Sequence, residues 1–236
     1  MLAHHHFDSL PALTGLEIEL NLVDPAMQPS MKNAQVLSEI ADPAFQTELA
    51  RYNIELNVPP QPLPGEAVLD LERDLRAALN HADDRAMHHD AQIAMIGILP
   101  TLRPEHLSGD WMSPNPRYQA LEDAVFAARR EDIELDISGP EPLRMLTATI
   151  APESACTSVQ LHLQVSPSEF APHWNAAQIL AGPQLALGAN SPFLFGKRLW
   201  AETRTELFLQ ATDTRSPELR NQGVRPRVFY GDRWIT

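Results

Sequence analysis

The sequence of 236 residues contains one cysteine, Cys156, and only two lysines among its 18 basic residues. A single cysteine excludes an internal disulfide and any zinc site built from several thiolates. The formal net charge is −13. Nucleic acids and anionic membrane surfaces both bind through clustered cations, which this chain lacks. The composition therefore predicts no nucleic-acid partner and no membrane partner.

Long apolar runs and familiar nucleotide motifs are also missing. No segment approaches the roughly 20 apolar residues of a membrane span, and residues 1–10 lack the basic and apolar regions of a secretory signal. We therefore predict a cytoplasmic protein. The sequence contains no Walker loop, no Gly-x-Gly-x-x-Gly turn and no Gly-x-Ser-x-Gly elbow, so a bound nucleotide would have to be held in another way.

The apolar patterns predict an α+β fold in a single unit, with an antiparallel or mixed sheet and helices on one face. Apolar spacings of three and four predict four helices, over 65–90, 115–130, 172–187 and 200–210. Regular alternation predicts strands over 16–22, 53–58, 133–137 and 158–165. Less regular patterns predict two more strands, over 92–99 and 227–230.

The polar positions on three of these strands have an unusual composition. They include no basic residue, and they are Glu17, Glu19, Asn21, Asn53, Glu55, Asn57, Ser158, Gln160, His162 and Gln164. A polar face that merely meets water usually includes lysine or arginine. Carboxylates two positions apart on a strand lie about 7 Å apart on one face, so both can reach one site. Like charges at that distance need a cation between them or a raised pKa.

Hard divalent cations suit such a face, because Mg²⁺ and Mn²⁺ prefer carboxylate oxygens with an occasional imidazole. Three glutamates and one histidine would serve two such ions. The alternative is a solvated strand face. Asn53, Asn57 and Gln160 share the face and could bind a substrate or support the metal ligands. Arginines such as Arg204 either form structural ion pairs or neutralise a phosphate or substrate carboxylate.

Five segments, in this order, resemble the second glutamate–cysteine ligase family, which includes bacterial carboxylate–amine ligases. They are residues 14–23, 53–57, 158–162, 189–192 and 200–204. The resemblance runs from about Leu13 to the last residue. It implies a largely antiparallel, glutamine-synthetase-like catalytic domain, in which a concave polar face holds divalent metals, ATP and an amino acid.

The resemblance also implies a reaction. The γ-carboxylate of glutamate attacks the terminal phosphate of ATP, and an amine, classically that of cysteine, displaces phosphate to form a γ-glutamyl amide. ATP and Mg²⁺ (or Mn²⁺) are the implied cofactors. By position, Glu17, Glu19 and Glu55 are implied metal ligands, His162 is a ligand or phosphate contact, and Arg204 lies near the transferred phosphoryl group or the substrate carboxylate.

Two alternatives to glutamate–cysteine ligation stay open at this point: a ligase of the same fold with another amine or acid, and a metal- or nucleotide-binding module without activity.

Members of the family extend beyond the equivalent of Thr236, so we expect 1–236 to be an incomplete catalytic domain. Residues 1–12 are expected to form a flexible N-terminal segment. Whether the chain forms a homo-oligomer is left open by the sequence.

Overall fold

The computed structural model describes residues 12–62 and 67–236. In these ranges the strands are β1 Leu13–Val23, β2 Phe45–Thr47, β3 Asn53–Pro62, β4 Gln92–Ala94, β5 Ile133–Ser138, β6 Pro142–Thr147, β7 Val159–Leu163, β8 Phe193–Leu194 and β9 Lys197–Arg198. The helices are α1 Asn33–Ile40, α2 Ala67–Met87, α3 Pro116–Arg129, α4 Phe170–Gly188, α5 Arg204–Ala211 and α6 Pro217–Asn221. The predicted α+β class is confirmed. The N-terminal segment expected to be flexible lies outside the described residues, apart from Ala12.

The main sheet is built around β1. It has five strands in the order β2-β3-β1-β4, with β7 also paired to β1. All four pairings are antiparallel, as predicted. Strand β3 pairs along one edge of β1, and β7 and β4 share the other edge, at Thr14–Ile18 and Asn21–Val23 respectively. The strands β5 and β6 form a separate hairpin, and so do β8 and β9.

One face of the main sheet is apolar and carries helices. The alternate residues Leu16, Ile18, Leu20 and Leu22 of β1 are at most 7% exposed. They join a buried cluster with side chains of α1 and of the C-terminal half of α2. Because strand side chains alternate between faces, burial of this set directs the polar set of β1 to the opposite face.

A second apolar core holds the remaining elements together. It contains Tyr52, Ile98, Leu135, Leu207 and other buried residues from β5, α3, α5 and the loops between them. By contrast, every residue of β7 is exposed, and α4 has no buried residue. None of the helices in the described ranges is long and apolar enough to cross a membrane.

Several element predictions need correction. The strand predicted over 92–99 ends at Ala94, since the carbonyls of Ile96 and Gly97 accept hydrogen bonds from Thr157 instead of a neighbouring strand. The strand predicted over 227–230 is wrong: residues 227 and 228 form a bend, 229 and 230 have no regular structure, and Phe229 and Tyr230 are 50% and 63% exposed. The helix predicted over 200–210 begins only at Arg204.

Candidate functional site

The pairing of β1 with its neighbours brings the polar residues of three strands onto one face. Across β1 and β3, Glu17 is opposite Asn57, Glu19 is opposite Glu55, and Asn21 is opposite Asn53. On the other edge, Gln160 of β7 is opposite Glu17, and His162 is opposite Gly15. The alternation seen in the sequence therefore becomes one continuous polar surface.

Three carboxylates converge on this surface. One oxygen from each of Glu19, Glu48 and Glu55 lies within 4.8 Å of the other two. Glu19 and Glu55 come from β1 and β3, as the sequence suggested, while Glu48 comes from the turn between β2 and β3. We call this set the carboxylate cluster. Such a set of oxygen donors suits Mg²⁺ or Mn²⁺.

The cluster perturbs the titration of its members. Burial raises the pKa of Glu19 to about 7, and the charge of Glu48 adds to this rise. The Ser158 amide and hydroxyl oppose it, because they donate hydrogen bonds of 2.8 and 3.2 Å to a Glu19 oxygen. Burial likewise raises the pKa of Glu48. These two carboxyls therefore ionise reluctantly unless a cation compensates their charge.

Glu17 and His162 are placed beside the cluster and contact each other. The distance from His162 Nε2 to Glu17 Oε1 is 3.1 Å, and the two side chains are 53% and 30% exposed. Glu17 is close enough for its charge to contribute to the raised pKa of Glu48. The structure thus brings all four predicted ligands to one face. Glu17 and His162 form a pair there, whereas Glu19 and Glu55 belong to the carboxylate cluster with Glu48.

The predicted amides have different surroundings. Asn57 Nδ2 donates a 2.6 Å hydrogen bond to Glu55 Oε1, which fixes that carboxylate. Asn53 is buried, and its Nδ2 donates to Asn21 Oδ1 at 3.1 Å, so it supports the surface from below. Gln160 is exposed. Of the three, Gln160 is therefore the most exposed, which suits a contact with a substrate.

The Arg204 guanidinium is held mainly by an ion pair. Its Nε and Nη2 donate to the two oxygens of Glu202, both at 2.6 Å. Nη1 donates to the Thr157 carbonyl at 2.6 Å and Nη2 to the Gly188 carbonyl at 3.1 Å. Burial acts against ionisation of Glu202, but hydrogen bonds from Arg204 and Ser191 keep the pKa of Glu202 below its usual value. The ion pair, which is one of the two roles left open for arginine, is therefore present.

A cavity of about 740 Å³ joins the edge of the carboxylate cluster to this ion pair. Glu19 and Arg204 both line it, and its apolar wall includes Met95, Leu185 and Phe208. The volume lies within the range of about 300 to 1,000 Å³ that is usual for small-molecule sites. Acidic, basic and apolar surfaces therefore meet around one cavity.

Gly97 allows the close packing at one end of this cavity. A Cβ atom there would lie 2.5 Å from Asn190 Oδ1 and 2.6 Å from the guanidinium carbon of Arg204. The Gly97 amide also donates a 3.0 Å hydrogen bond to Asn190 Oδ1. Any side chain at position 97 must therefore displace both Asn190 and Arg204.

We expect Gly97→Ala to destabilise the protein by about 1 to 3 kcal/mol, as is usual for overpacking. Urea unfolding measures this change. Gly182→Ala is the matched control, since a Cβ at Gly182, inside α4, meets nothing within 4 Å. The control should change stability by less than about 1 kcal/mol, because the helix propensity of alanine is opposed by Pro183, which disfavours a helical residue with a Cβ before it. Equal stability of Gly97→Ala and the unchanged protein would contradict the packing described here.

Comparison with known proteins identifies the family. The sequence profile described as glutamate-cysteine ligase family 2 (GCS2) matches residues 13–228, which is most of the chain. The chain belongs to this family. A search of curated protein sequences gave no significant match.

Two solved structures are similar to this member of glutamate-cysteine ligase family 2. One is a glutamate–cysteine ligase from Francisella tularensis in complex with AMP, with 13% identity and a TM-score of 0.43 over 75% of this chain and 30% of that chain. The other is a bifunctional glutathione synthetase from Pasteurella multocida, with 13% identity and a TM-score of 0.43 over 85% of this chain and 30% of that chain. The chain thus spans about a third of the length of these proteins.

Glu48 is the residue of the site that sequence reasoning missed. It follows the three-residue strand β2, which is too short for an alternation to be recognised. The pairing of β2 with β3 puts Gln46 opposite Glu55 and so carries Glu48 toward the cluster. In the sequence, Glu48 is marked only by its place before the apolar residues Leu49 and Ala50, which are buried in the structure.

Proposed function

We propose that this protein is an ATP-dependent carboxylate–amine ligase that forms a γ-glutamyl amide, with glutamate as the acid and cysteine as the amine. Membership of the family supports ligase chemistry. The observation that carries the proposal is the carboxylate cluster of Glu19, Glu48 and Glu55, in which Glu19 lines a cavity that Arg204 also lines. Cation-binding and anion-binding groups are both needed for phosphoryl transfer from ATP.

Two displacements make up the proposed reaction. The glutamate γ-carboxylate attacks the terminal phosphorus of ATP, and the bond to the bridging oxygen breaks to release ADP and leave an acyl phosphate. The amine nitrogen then attacks the acyl carbon, loses a proton and expels inorganic phosphate. We place this reaction in the cytoplasm, where the sequence predicts the protein to reside.

The cluster is the proposed site of Mg²⁺ (or Mn²⁺). Bound there, the metal would neutralise charge on the phosphates of ATP. Glu19, Glu48 and Glu55 would supply its carboxylate ligands, and Asn57 would keep Glu55 oriented through their 2.6 Å hydrogen bond. Glu17 and His162 form the edge of the site: Glu17 is proposed as a ligand for a second ion, and His162 as a further ligand or as a contact for a phosphate.

We propose that Arg204 contacts a phosphate or the substrate carboxylate. Four of its five N–H groups have acceptors, and one Nη1 hydrogen has none within the described residues. The fork on Glu202 would fix the guanidinium plane before a substrate arrives. Gln160, exposed on the same face as Glu17, is the proposed amide contact to a substrate.

Arg204→Lys should lower kcat by about tenfold or more and leave the affinity for Mg²⁺ nearly unchanged. Lysine keeps the charge, but it cannot reproduce the planar fork that binds both Glu202 oxygens. Steady-state kinetics and Mg²⁺ titration measure the two effects. Arg144→Lys, at a 76% exposed side chain, is the matched control. Unchanged kcat in Arg204→Lys would remove Arg204 from the proposed reaction.

The experiment that tests the proposed function is an assay of ADP release with ATP, Mg²⁺, glutamate and a panel of amines. Turnover that requires cysteine is the expected result. If cysteine fails and another amine supports turnover, the ligase assignment stands and the amine assignment is wrong. If a non-hydrolysable ATP analogue binds with Mg²⁺ but no acid and amine give product, the chain is a binding module and the proposal fails.

A further inference from the structure

A second cavity, of about 240 Å³, lies beside the C-terminal ends of α3 and α5. Three arginines line it: Arg129 at the end of α3, Arg215 between α5 and α6, and Arg220 in α6. None of the residues that line this cavity lines the larger one. Its chemistry is therefore separate from that of the carboxylate cluster.

Arg129 is the innermost of these arginines, with a side chain only 2% exposed. Its Nη1 donates to the Asp213 carbonyl, and its Nη2 donates to the Asp132 carbonyl at 3.1 Å. Its Nε is buried and has no hydrogen-bond partner within the described residues. A buried guanidinium held mainly by neutral carbonyls is costly, since a buried charge usually has a close counterion.

The nearby carboxylates are already engaged with the other two arginines. Arg215 forms a fork on Asp213, with distances of 2.9 Å from Nε to Oδ1 and 2.8 Å from Nη2 to Oδ2. Arg220 Nη2 donates to Glu131 Oε1 at 3.0 Å. The same Glu131 oxygen is 3.7 Å from Arg129 Nη2, too far for a strong hydrogen bond. Three guanidiniums thus share two carboxylates.

One more carboxylate lines the cavity. Glu134 is exposed and forms no ion pair within the described part of the chain. Burial lowers the pKa of Arg129, and the charge of Arg220 lowers it further, whereas Asp213 and Glu131 act in the opposite direction. The carboxylates are thus close enough to influence Arg129, but within the described residues none lies nearer to its guanidinium than the 3.7 Å of Glu131.

We propose that this cavity binds a compact oxyanion, a phosphate or carboxylate group carried by a small molecule, through Arg220 and the positive charge of Arg129. Guanidinium groups bind such oxyanions through charge-assisted hydrogen bonds. The volume is below the range of about 300 to 1,000 Å³ that is usual for whole drug-sized ligands, and this favours a small anion over a nucleotide. The proposal does not depend on the ligase reaction.

Calorimetric titration of the metal-free, nucleotide-free chain tests this site, with inorganic phosphate in one arm and acetate in the other. Both arms use chloride to hold ionic strength constant. We expect saturable binding of at least one anion, and the comparison of arms tells phosphate from carboxylate. Arg220→Gln should weaken that binding by about tenfold, because a charge-assisted hydrogen bond is lost. Glu134→Gln should strengthen it, because a like charge at the cavity is removed.

Arg76→Gln is the matched control, because Arg76 is a surface arginine of α2 that pairs with Glu72 and does not line the cavity. It should leave anion affinity unchanged. Absence of saturable binding in both arms would overturn the proposal. So would equal affinity in Arg220→Gln, which would place the anion elsewhere. If Arg220→Gln fails to fold, an unchanged affinity in Glu134→Gln overturns it instead.

Discussion

Glu19→Gln should make the metal-free protein more stable above pH 7 by up to about 3 kcal/mol. Burial raises the pKa of Glu19 from 4.5 to about 7 in the folded chain. A carboxyl with a raised pKa favours folding below pH 4.5, and this contribution disappears as the pH rises through 7. The difference in pKa of about 2.5 units, at 1.36 kcal/mol each, sets the upper limit.

Urea unfolding with a chelator, at a series of pH values, measures this effect. The unchanged protein should lose stability between about pH 4.5 and 7 from this group, and Glu19→Gln should lose less. Glu72→Gln serves as a control because Glu72 is 56% exposed on α2 and lies outside the cluster. Parallel stability curves for Glu19→Gln and Glu72→Gln would show that Glu19 is not held in a buried acidic environment.

Glu48→Gln should weaken the binding of Mg²⁺ by about tenfold or more. The change removes one negative charge from a cluster of three carboxylates and keeps the size of the side chain. Metal affinity at oxygen sites depends strongly on the number of charged ligands. Glutamine can still accept the 2.8 Å hydrogen bond that the Leu49 amide donates to Glu48, so the turn should keep its shape.

Calorimetry with Mg²⁺ or Mn²⁺ measures the effect of Glu48→Gln, and Glu72→Gln is again the control. Glu48 gives the sharpest test because it was found through the structure and not through a sequence motif. An affinity equal to that of the unchanged protein would mean that Glu48 is no ligand. Metal binding would then have to rest on Glu17, Glu19 and Glu55.

The sequence was sufficient to predict the central part of the fold. Long, regular alternations in β1 and β3 identified the strands and their polar faces, because one side of each strand is buried under α1 and α2. Because Leu20 and Ile54 are buried on the apolar face, their neighbours Glu19 and Glu55 must point to the opposite, polar face of the sheet. This is why both predicted acids belong to the same cluster.

Short elements and long-range contacts were not predictable in the same way. Helix α1 has eight residues and β2 has three, so neither contains enough repeats to establish a period. Glu48 reaches the cluster only because β2 pairs with β3, which no local pattern indicates. The partner of Arg204 is Glu202, two positions away, yet the turn that joins them is set by contacts with Ser191.

The strand predicted over 227–230 shows a different kind of error. Its residues have high strand propensity, but propensity without a pairing partner does not make a strand. Phe229 and Tyr230 are at least half exposed, so neither ring is packed into a core. Residues 227–230 therefore form no strand because they have no pairing partner in the described chain, despite their composition.

The central claim is that Glu19, Glu48 and Glu55 together form a divalent-metal site, and proton release on metal binding tests it most directly. Glu19 has a pKa of about 7, so near that pH Mg²⁺ must displace about half a proton from it. Calorimetric titration at pH 7, in two buffers with different ionisation enthalpies, reports this proton. We predict a binding enthalpy that changes with the buffer in the unchanged protein and much less in Glu19→Gln. Binding without proton release, or no binding of Mg²⁺ at all, would contradict the account.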